Sequence, residues 1–255
     1  MKNINWHLIP YSKNNPAMNM AIDEAIFRLY PEIHRDTIRL YGWTPSAVSL
    51  GRHQSVEAEI NRANLKNLGF QCVRRISGGG AVFHDQNGEI TYSIVTDQNN
   101  LTNKSLESSY YELVEVVLKP LVELGLKIDF AQIHCPSVFS GGKKISGNAQ
   151  ARDRNTILQH GTILVSYNPE IMYSVLKARP GTTHEKMVQS VYQHVTTLSK
   201  QLSPSLTPEK VVEIIQKNLL SSSNVVETLL TEEETSLAEH LYLTKYSQDS
   251  WNYSK

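Results

Sequence analysis

The chain is predicted to fold as an α+β domain, a mixed and mostly antiparallel sheet flanked by helices. Three observations predict it. Strand-patterned runs alternate with helix-patterned ones along most of the 255 residues. Neighbouring strand-like runs such as 71–75, 81–84 and 89–95 are joined by only a few residues, too few for the long crossover that a parallel pair needs. Hydrophobic residues make up 40% of the chain and charged ones 20%, which suits one sizeable core.

The elements follow in order. Residues 18–30 (MNMAIDEAIFRLY) place Met18, Ile22, Ala25 and Ile26 on one helical stripe. Runs 36–41 and 47–50 read as strands on either side of the turn-forming Gly-Trp-Thr-Pro. Residues 56–68 are helix-patterned and stop at Gly69, a C-cap. Strands at 71–75, 81–84 and 89–95 are followed by a long amphipathic helix over 106–124, ended by Gly125. Runs 127–130, 144–149 and 162–166 read as strands, and 169–178 and 184–198 as helices. Beyond Thr207, with Pro208 at the first helical position, the chain turns helical and polar, and Thr231 opens a last helix running toward Tyr246.

Composition excludes several function classes. The 25 basic and 25 acidic residues cancel, so no broad grip on nucleic acid or an anionic membrane is expected. No apolar run reaches the length of a membrane span, and the N-terminus lacks the apolar core of a secretory signal. Cys72 and Cys135 form neither a disulfide framework nor a metal-ligand pattern. A reduced, cytoplasmic protein with no metal site is expected.

Chemistry concentrates in three stretches. In residues 74–85 (RRISGGGAVFHD), Arg74 and Arg75 lead into Gly78, Gly79 and Gly80. Glycines strip side chains from a turn and allow positive φ, so bare backbone N–H donors can approach an anionic or polarised group. The plain alternative is a glycine hairpin with exposed arginines. In residues 141–152 (GGKKISGNAQAR), Lys144 opens a strand of small residues, from which it can project a single cation into a cleft. A solvated Lys-Lys turn is the alternative. In 158–164 (LQHGTIL), His160 and Gly161 stand at the entrance of an apolar strand, where a histidine more often serves the core. No Walker A pattern is present.

These motifs, with MNMAIDEA at 18–25, GRHQS at 51–55 and the ending Lys-Tyr-x-x-x-x-Trp-Asn at 245–252, resemble the lipoate–protein ligase A family within the biotin/lipoate ligase superfamily, which includes lipoyl-pathway octanoyltransferases. The resemblance implies a biotin/lipoate-ligase-like catalytic domain over 1–204, with 205–255 as a helical extension packed on it. It implies that Arg75, Ser77 and Gly78–Gly80 line the acyl pocket, that His84 and Asp85 shape its nucleotide side, and that Lys144 contacts the acyl carbonyl and phosphate. Gly147, His160 and Gly161 would complete the floor. Val82, Ile94 and Ile145 are the positions proposed for an acyl tunnel.

The resemblance leaves two reactions and one non-enzymatic role open. A ligase makes lipoyl-AMP from lipoate, ATP and Mg2+, then acylates a lysine of a lipoyl domain, in 2-oxoacid dehydrogenase E2 or the glycine cleavage H protein. An octanoyltransferase moves octanoate from acyl carrier protein to a cysteine, here Cys135, and on to the same lysine. A non-catalytic relative would only bind lipoyl domains or adenylates. The whole SGGGAVFHD loop favours the ligase, and Cys135 falls several residues out of register with the transferase nucleophile. Because ligases often carry a further accessory domain, a separate accessory chain is expected on that reading. Cys72 is expected to pack.

Overall fold

The computed structural model describes residues 4–130, 136–178 and 181–254. In chain order its elements are β1 (Trp6–Asn14), α1 (Pro16–Ile33), β2 (Thr37–Trp43), β3 (Ala47–Leu50), α2 (Val56–Glu59), α3 (Arg62–Asn67), β4 (Gln71–Arg74), β5 (Val82–His84) and β6 (Glu89–Asp97). There follow α4 (Leu106–Glu123), β7 (Asp129–Phe130), β8 (Ser137–Ser140), β9 (Lys143–Asp153), β10 (Thr156–Leu164), α5 (Pro169–Val175), α6 (His184–His194) and α7 (Leu198–Gln201). The chain ends with α8 (Pro208–Leu220), β11 (Val225–Glu227), α9 (Glu232–Leu241), a π-helical turn at Tyr242–Tyr246, and α10 (Asp249–Asn252).

An eight-stranded sheet runs β11-β1-β2-β6-β10-β9-β8-β7. The β11–β1 and β1–β2 pairs are parallel, and every pair from β2 outward is antiparallel. A second sheet, β4-β3-β5, has one parallel and one antiparallel pair. The expected α+β class with a mixed, mostly antiparallel sheet is therefore what the chain forms. Among the described residues no helix is long and apolar enough to cross a membrane.

Strand alternation divides the core. Ile38, Leu40, Ile94 and Ile157 face α4 and α8, whereas Tyr41, Val95 and Leu158 face α1 and α9. The polar residues Arg39, Ser93 and His160 share the α1 side, being two residues from Tyr41, Val95 and Leu158 respectively. The small sheet has its own cluster with α2, α3 and α5.

Several boundaries differ from expectation. The helix expected over 56–68 is two, because Ile60 and Asn61 are extended and the Asn61 side chain caps α3 by accepting from Asn64 N. Gly69 does end it, at φ +68°. Strand β10 begins at Thr156 rather than at 162, since Asp153–Thr156 forms a tight turn back to β9. Strand β1 has no counterpart in the sequence reading. Its apolar residues are interrupted by Pro10, Ser12 and Lys13, and its register against β2 shifts between Ile9 and Ser12.

The last residues close onto the small sheet. Buried Glu24 of α1 accepts from Lys245 Nζ at 2.7 Å and from Arg28 and the Tyr246 hydroxyl, and Lys245 lies 3.9 Å above the Trp251 ring. Arg74 donates to the carbonyls of Gly51, Arg52, Gln54, Trp251 and Asn252. Asn252 accepts the Arg74 N–H at 2.9 Å and donates to the Tyr246 carbonyl at 2.7 Å. Asn252→Ala leaves both buried groups without partners and should destabilise the fold by about 1–3 kcal/mol per group left unpaired. Urea unfolding at unchanged m-value checks it, and unchanged stability would show that the clamp contributes little.

Candidate active site

A cleft of about 540 Å³ lies between the connection from β4 to β5 and the facing strands β6, β9 and β10. The size suits a small-molecule site, which typically spans about 300–1,000 Å³. Met20, Tyr41, Trp43, Ala81 and Val82 give it apolar surface. Gly78, Gly79, Gly80 and Lys144 give it donors.

The glycine stretch is built as expected of a backbone donor site. Gly79 has φ +93°, and a Cβ there would lie 3.0 Å from Arg75 Nη2. At Gly78 and Gly80 a Cβ would point into open space. The carbonyls of Gly78 and Gly80 each accept from Arg75 Nη2 at 2.7 Å. The N–H groups of Gly78, Gly79 and Gly80 donate to no acceptor among the described residues. Gly51 packs so closely behind that a Cβ would collide with the Gly79 carbonyl.

Arg75 organises this loop from behind. It is only 4% exposed, and all five of its guanidinium N–H groups have acceptors. Besides the two glycine carbonyls it donates to Ser77 Oγ at 3.1 Å, to the Ser49 carbonyl at 3.0 Å and to Ser49 Oγ at 3.2 Å. Burial pushes its pKa down to about 10, still well above neutrality.

Each serine continues into a histidine and a carboxylate. Ser77 Oγ lies 2.5 Å from His160 Nε2, and His160 Nδ1 lies 3.4 Å from Asp23 Oδ2. Ser49 Oγ lies 2.8 Å from His84 Nε2, and His84 Nδ1 lies 2.6 Å from Glu89 Oε1. Trp43 stacks on His84 at 3.9 Å and donates to Thr91 Oγ1, which donates to Glu89. Asp23 also accepts from Arg39, Tyr41 and Ser93, each at 2.8 Å. Burial raises the Asp23 pKa, but the His160 hydrogen bond, the Arg39 charge and the Ser93 hydroxyl outweigh it and hold the carboxyl below its ordinary range. Burial lowers the His160 pKa more than Asp23 raises it, with Arg75 and His84 adding to the depression. The His160 ring is therefore neutral near pH 7, with Nδ1–H assigned by its carboxylate partner.

Lys144, half-buried at the start of β9, has no hydrogen-bond acceptor or carboxylate partner among the described residues. Its Nζ would lie 3.1 Å from a Cβ at Gly147, so glycine is what lets the ammonium lie there. Asn148 braces the far wall. It accepts from the Tyr92 hydroxyl at 2.6 Å and donates to the Pro136 carbonyl at 2.9 Å. At Gly161 a Cβ would collide with Asn148 Oδ1 and approach Tyr92.

Of the residues singled out by sequence, Arg75, Gly78–Gly80, His84, Lys144, Gly147, His160 and Gly161 all line this one cleft. Ser77 is buried behind the loop, 1% exposed. Asp85 sits away from the cleft, its carboxylate accepting from Asn87 N in the turn into β6. Val82 lines the cleft, but Ile94 and Ile145 are packed in the core beneath the sheet, so the tunnel expected from them is not where they lie. Cys135 lies outside the described residues. Cys72 is mostly buried on β4, with a thiol pKa pushed up to about 12 by desolvation, as a packing residue should be. Sequence reasoning missed Ser49, Asp23, Glu89 and Asn148. The signal for Asp23 was present, as a carboxylate pair interrupting the apolar stripe of α1.

A family model described as the lipoyl protein ligase A/B catalytic domain matches residues 15–220. A Brevibacillus brevis protein named octanoyltransferase LipM is 32% identical over 97% of this chain and 98% of its own length. The Bacillus subtilis protein of the same name is 29% identical over the whole of both chains. A chain from the structure of an archaeal lipoylation system, a bipartite lipoate protein ligase and its E2 lipoyl domain from Thermoplasma acidophilum, superposes with a TM-score of 0.84 at 27% identity, over 98% of this chain and 96% of that one.

Two outcomes follow from the site's construction. Gly79→Val forces a branched side chain into positive φ beside Arg75 and should abolish binding of an unreactive octanoyl-thioether analogue by calorimetry, with unchanged affinity showing the loop to be structural only. Stability should also fall on acidification. Because the folded-state pKa of His160 is held below its ordinary 6.5, the unfolded chain takes up the proton first. That stabilisation is complete above the unfolded pKa and is lost as pH falls below it, by up to about 1.4 kcal/mol per pH unit. Urea titrations at about pH 7.5 and about pH 5.5 check it, and equal stabilities would contradict a neutral buried ring.

Proposed function

The chain belongs to the lipoyl protein ligase A/B catalytic-domain family, and on that premise we propose that it is an octanoyltransferase, moving an octanoyl group from acyl carrier protein to the ε-amine of a lipoyl-domain lysine. The observation that carries this reading is the full-length similarity to octanoyltransferases, 32% identical across nearly all of both chains. The ligase expected from the intact glycine loop gives way to it, because the loop's chemistry serves both reactions.

The donor set fits acyl transfer. A thiolate attacking the octanoyl thioester drives negative charge onto the carbonyl oxygen. Glycine-loop N–H groups and the Lys144 ammonium, none of them with an acceptor among the described residues, stand in one cleft to receive it. The carbon–sulfur bond to the carrier breaks, a carbon–sulfur bond to the enzyme forms, and the carrier thiolate leaves and takes a proton. The acceptor amine then attacks this second thioester and gives up a proton to solvent, the carbon–sulfur bond to the enzyme breaks, and the amide forms as the enzyme thiolate returns. Arg75, its donors spent inward, holds the loop rather than meeting the substrate.

The thiol is assigned by exclusion. Cys72 is buried and its pKa is high, which suppresses the thiolate. Cys135 directly precedes Pro136, which lines the cleft and is held by Asn148. On this reading neither ATP nor Mg2+ is consumed. The acceptors are the lipoyl domains of 2-oxoacid dehydrogenase E2 and the glycine cleavage H protein. On a ligase reading, which the similarity to the archaeal ligase supports, the same donors would face the phosphate of a lipoyl adenylate and an accessory chain would enter.

Incubating the protein and a lipoyl domain with octanoyl-acyl carrier protein, or with lipoate, ATP and Mg2+, and weighing both proteins separates the two. The expected result is ATP-independent octanoylation through a thioester on Cys135, with adduct and turnover both lost in Cys135→Ser. ATP-dependent lipoylation that survives Cys135→Ser would overturn it. Lys144→Ala should lower turnover on the order of 100-fold with the fold intact, and activity within a few-fold of wild type would remove Lys144 from the chemistry.

A further inference from the structure

Arg75 is a buried cation with no carboxylate in contact among the described residues. Among the described residues its acceptors are the Ser49, Gly78 and Gly80 carbonyls and the hydroxyls of Ser49 and Ser77. Two carboxylates stand one step further off, each behind an imidazole. One chain runs Arg75–Ser77–His160–Asp23 and the other Arg75–Ser49–His84–Glu89. The four end residues are all buried, Asp23 and Glu89 at 2% exposure, His84 at 4% and His160 at 7%. Two independent relays of one composition meeting on one guanidinium exceed what packing requires.

The relays have a direction. Each carboxylate takes a Nδ1–H, which leaves Nε2 as an acceptor. Nε2 takes the serine O–H, so the serine lone pairs face Arg75 and its N–H groups are drawn to them. Held so, Nη2 pulls the carbonyls of Gly78 and Gly80 inward. In a trans peptide the carbonyl of one residue and the N–H of the next point opposite ways, so the N–H groups of Gly79 and Ala81 turn away from Arg75. Both residues line the cleft.

We propose that His84 and His160 are positioning residues for acyl transfer: through Ser49 and Ser77 they direct two buried carboxylates onto Arg75, and Arg75 aims the N–H groups of Gly79 and Ala81 at the acyl carbonyl. The inference rests on the acyl-transfer reading above and adds to it the origin of the loop's orientation. Neither imidazole touches the reacting atoms in this arrangement.

The test uses the full chain. Imidazole 15N spectra should show the ring proton of both His84 and His160 on Nδ1, with Nε2 accepting from its serine, and a proton found on Nε2 of either ring would overturn the proposal. This measurement needs no variant and no activity. Ser49→Ala and Ser77→Ala each cut one relay without removing a charge. Each should speed hydrogen exchange at residues 78–81 and lower kcat by about 10-fold to 100-fold, with KM for octanoyl-acyl carrier protein nearly unchanged. A merely structural role would lower stability and leave kcat and exchange at the loop where they were, and that result overturns the proposal. Should wild type transfer no octanoyl group at all, the acyl-transfer reading fails, while the tautomer and exchange results still decide whether the relays hold the loop.

Discussion

The structure depends on one buried charge, the Arg75 guanidinium. Taking a cation out of water is costly unless its hydrogen bonds are satisfied and counter-charge is near. Here the five N–H groups are satisfied, and the counter-charge arrives through two serine–histidine links rather than by contact. The arrangement explains residues scattered across the chain. Asp23 is on α1, Ser49 on β3, Glu89 on β6 and His160 on β10. None of them is near another in sequence, yet each has its place relative to the same group. The carboxylate of Asp23 also pins α1 to the sheet through Arg39 and Tyr41, so the helix and the loop are fixed by one network.

The neighbouring arginine does complementary work. Adjacent residues at a strand end face opposite ways. Arg75 serves the glycine loop, while Arg74 gathers carbonyls from 51–54 and from Trp251 and Asn252. The Lys-Tyr and Trp-Asn pairs at the chain's end thereby gain a physical role. Lys245 and Tyr246 anchor to Glu24 of α1, and Trp251 and Asn252 fix Arg74, which in turn holds the segment 51–54, where Gly51 packs against the Gly79 carbonyl and Arg52 N–H donates to the Ser77 carbonyl. A tail beyond the family match at 220 thus braces the loop that forms the cleft.

Much of this was legible in the sequence because it is local. Three consecutive glycines announce a bare turn, a Pro after a Thr announces a helix start, and a lysine before a small-residue strand announces an unobstructed cation. What was not legible is long-range pairing. His160 read by itself more readily as a core histidine than as a site residue, since its partners Asp23 and Ser77 lie 137 and 83 residues away. Arg75 read as a cation at the mouth of the turn, because nothing in its neighbours reveals that two serines and two glycine carbonyls absorb its donors. Ile94 and Ile145 read as tunnel walls by proximity to the motifs, whereas strand alternation sends them to the opposite face, toward α4. Asp85, adjacent to a site histidine, is turned away by the same alternation.

The two cations in the motifs therefore divide their work by burial. Arg75, enclosed and fully bonded, cannot follow a substrate; it can only fix backbone. Lys144, half-buried and without an acceptor among the described residues, is free to meet charge as it forms. A site so divided is indifferent to whether the activated acyl group is a thioester or an acyl phosphate, since both develop charge on the same carbonyl oxygen. The scaffold alone consequently does not choose between transfer from a carrier and activation by a nucleotide. That choice falls to what each reaction adds to it, a nucleophilic thiol in one case or a phosphate-holding partner in the other. The glycine loop, the strongest motif in the chain, is for this reason the least able to tell the two reactions apart.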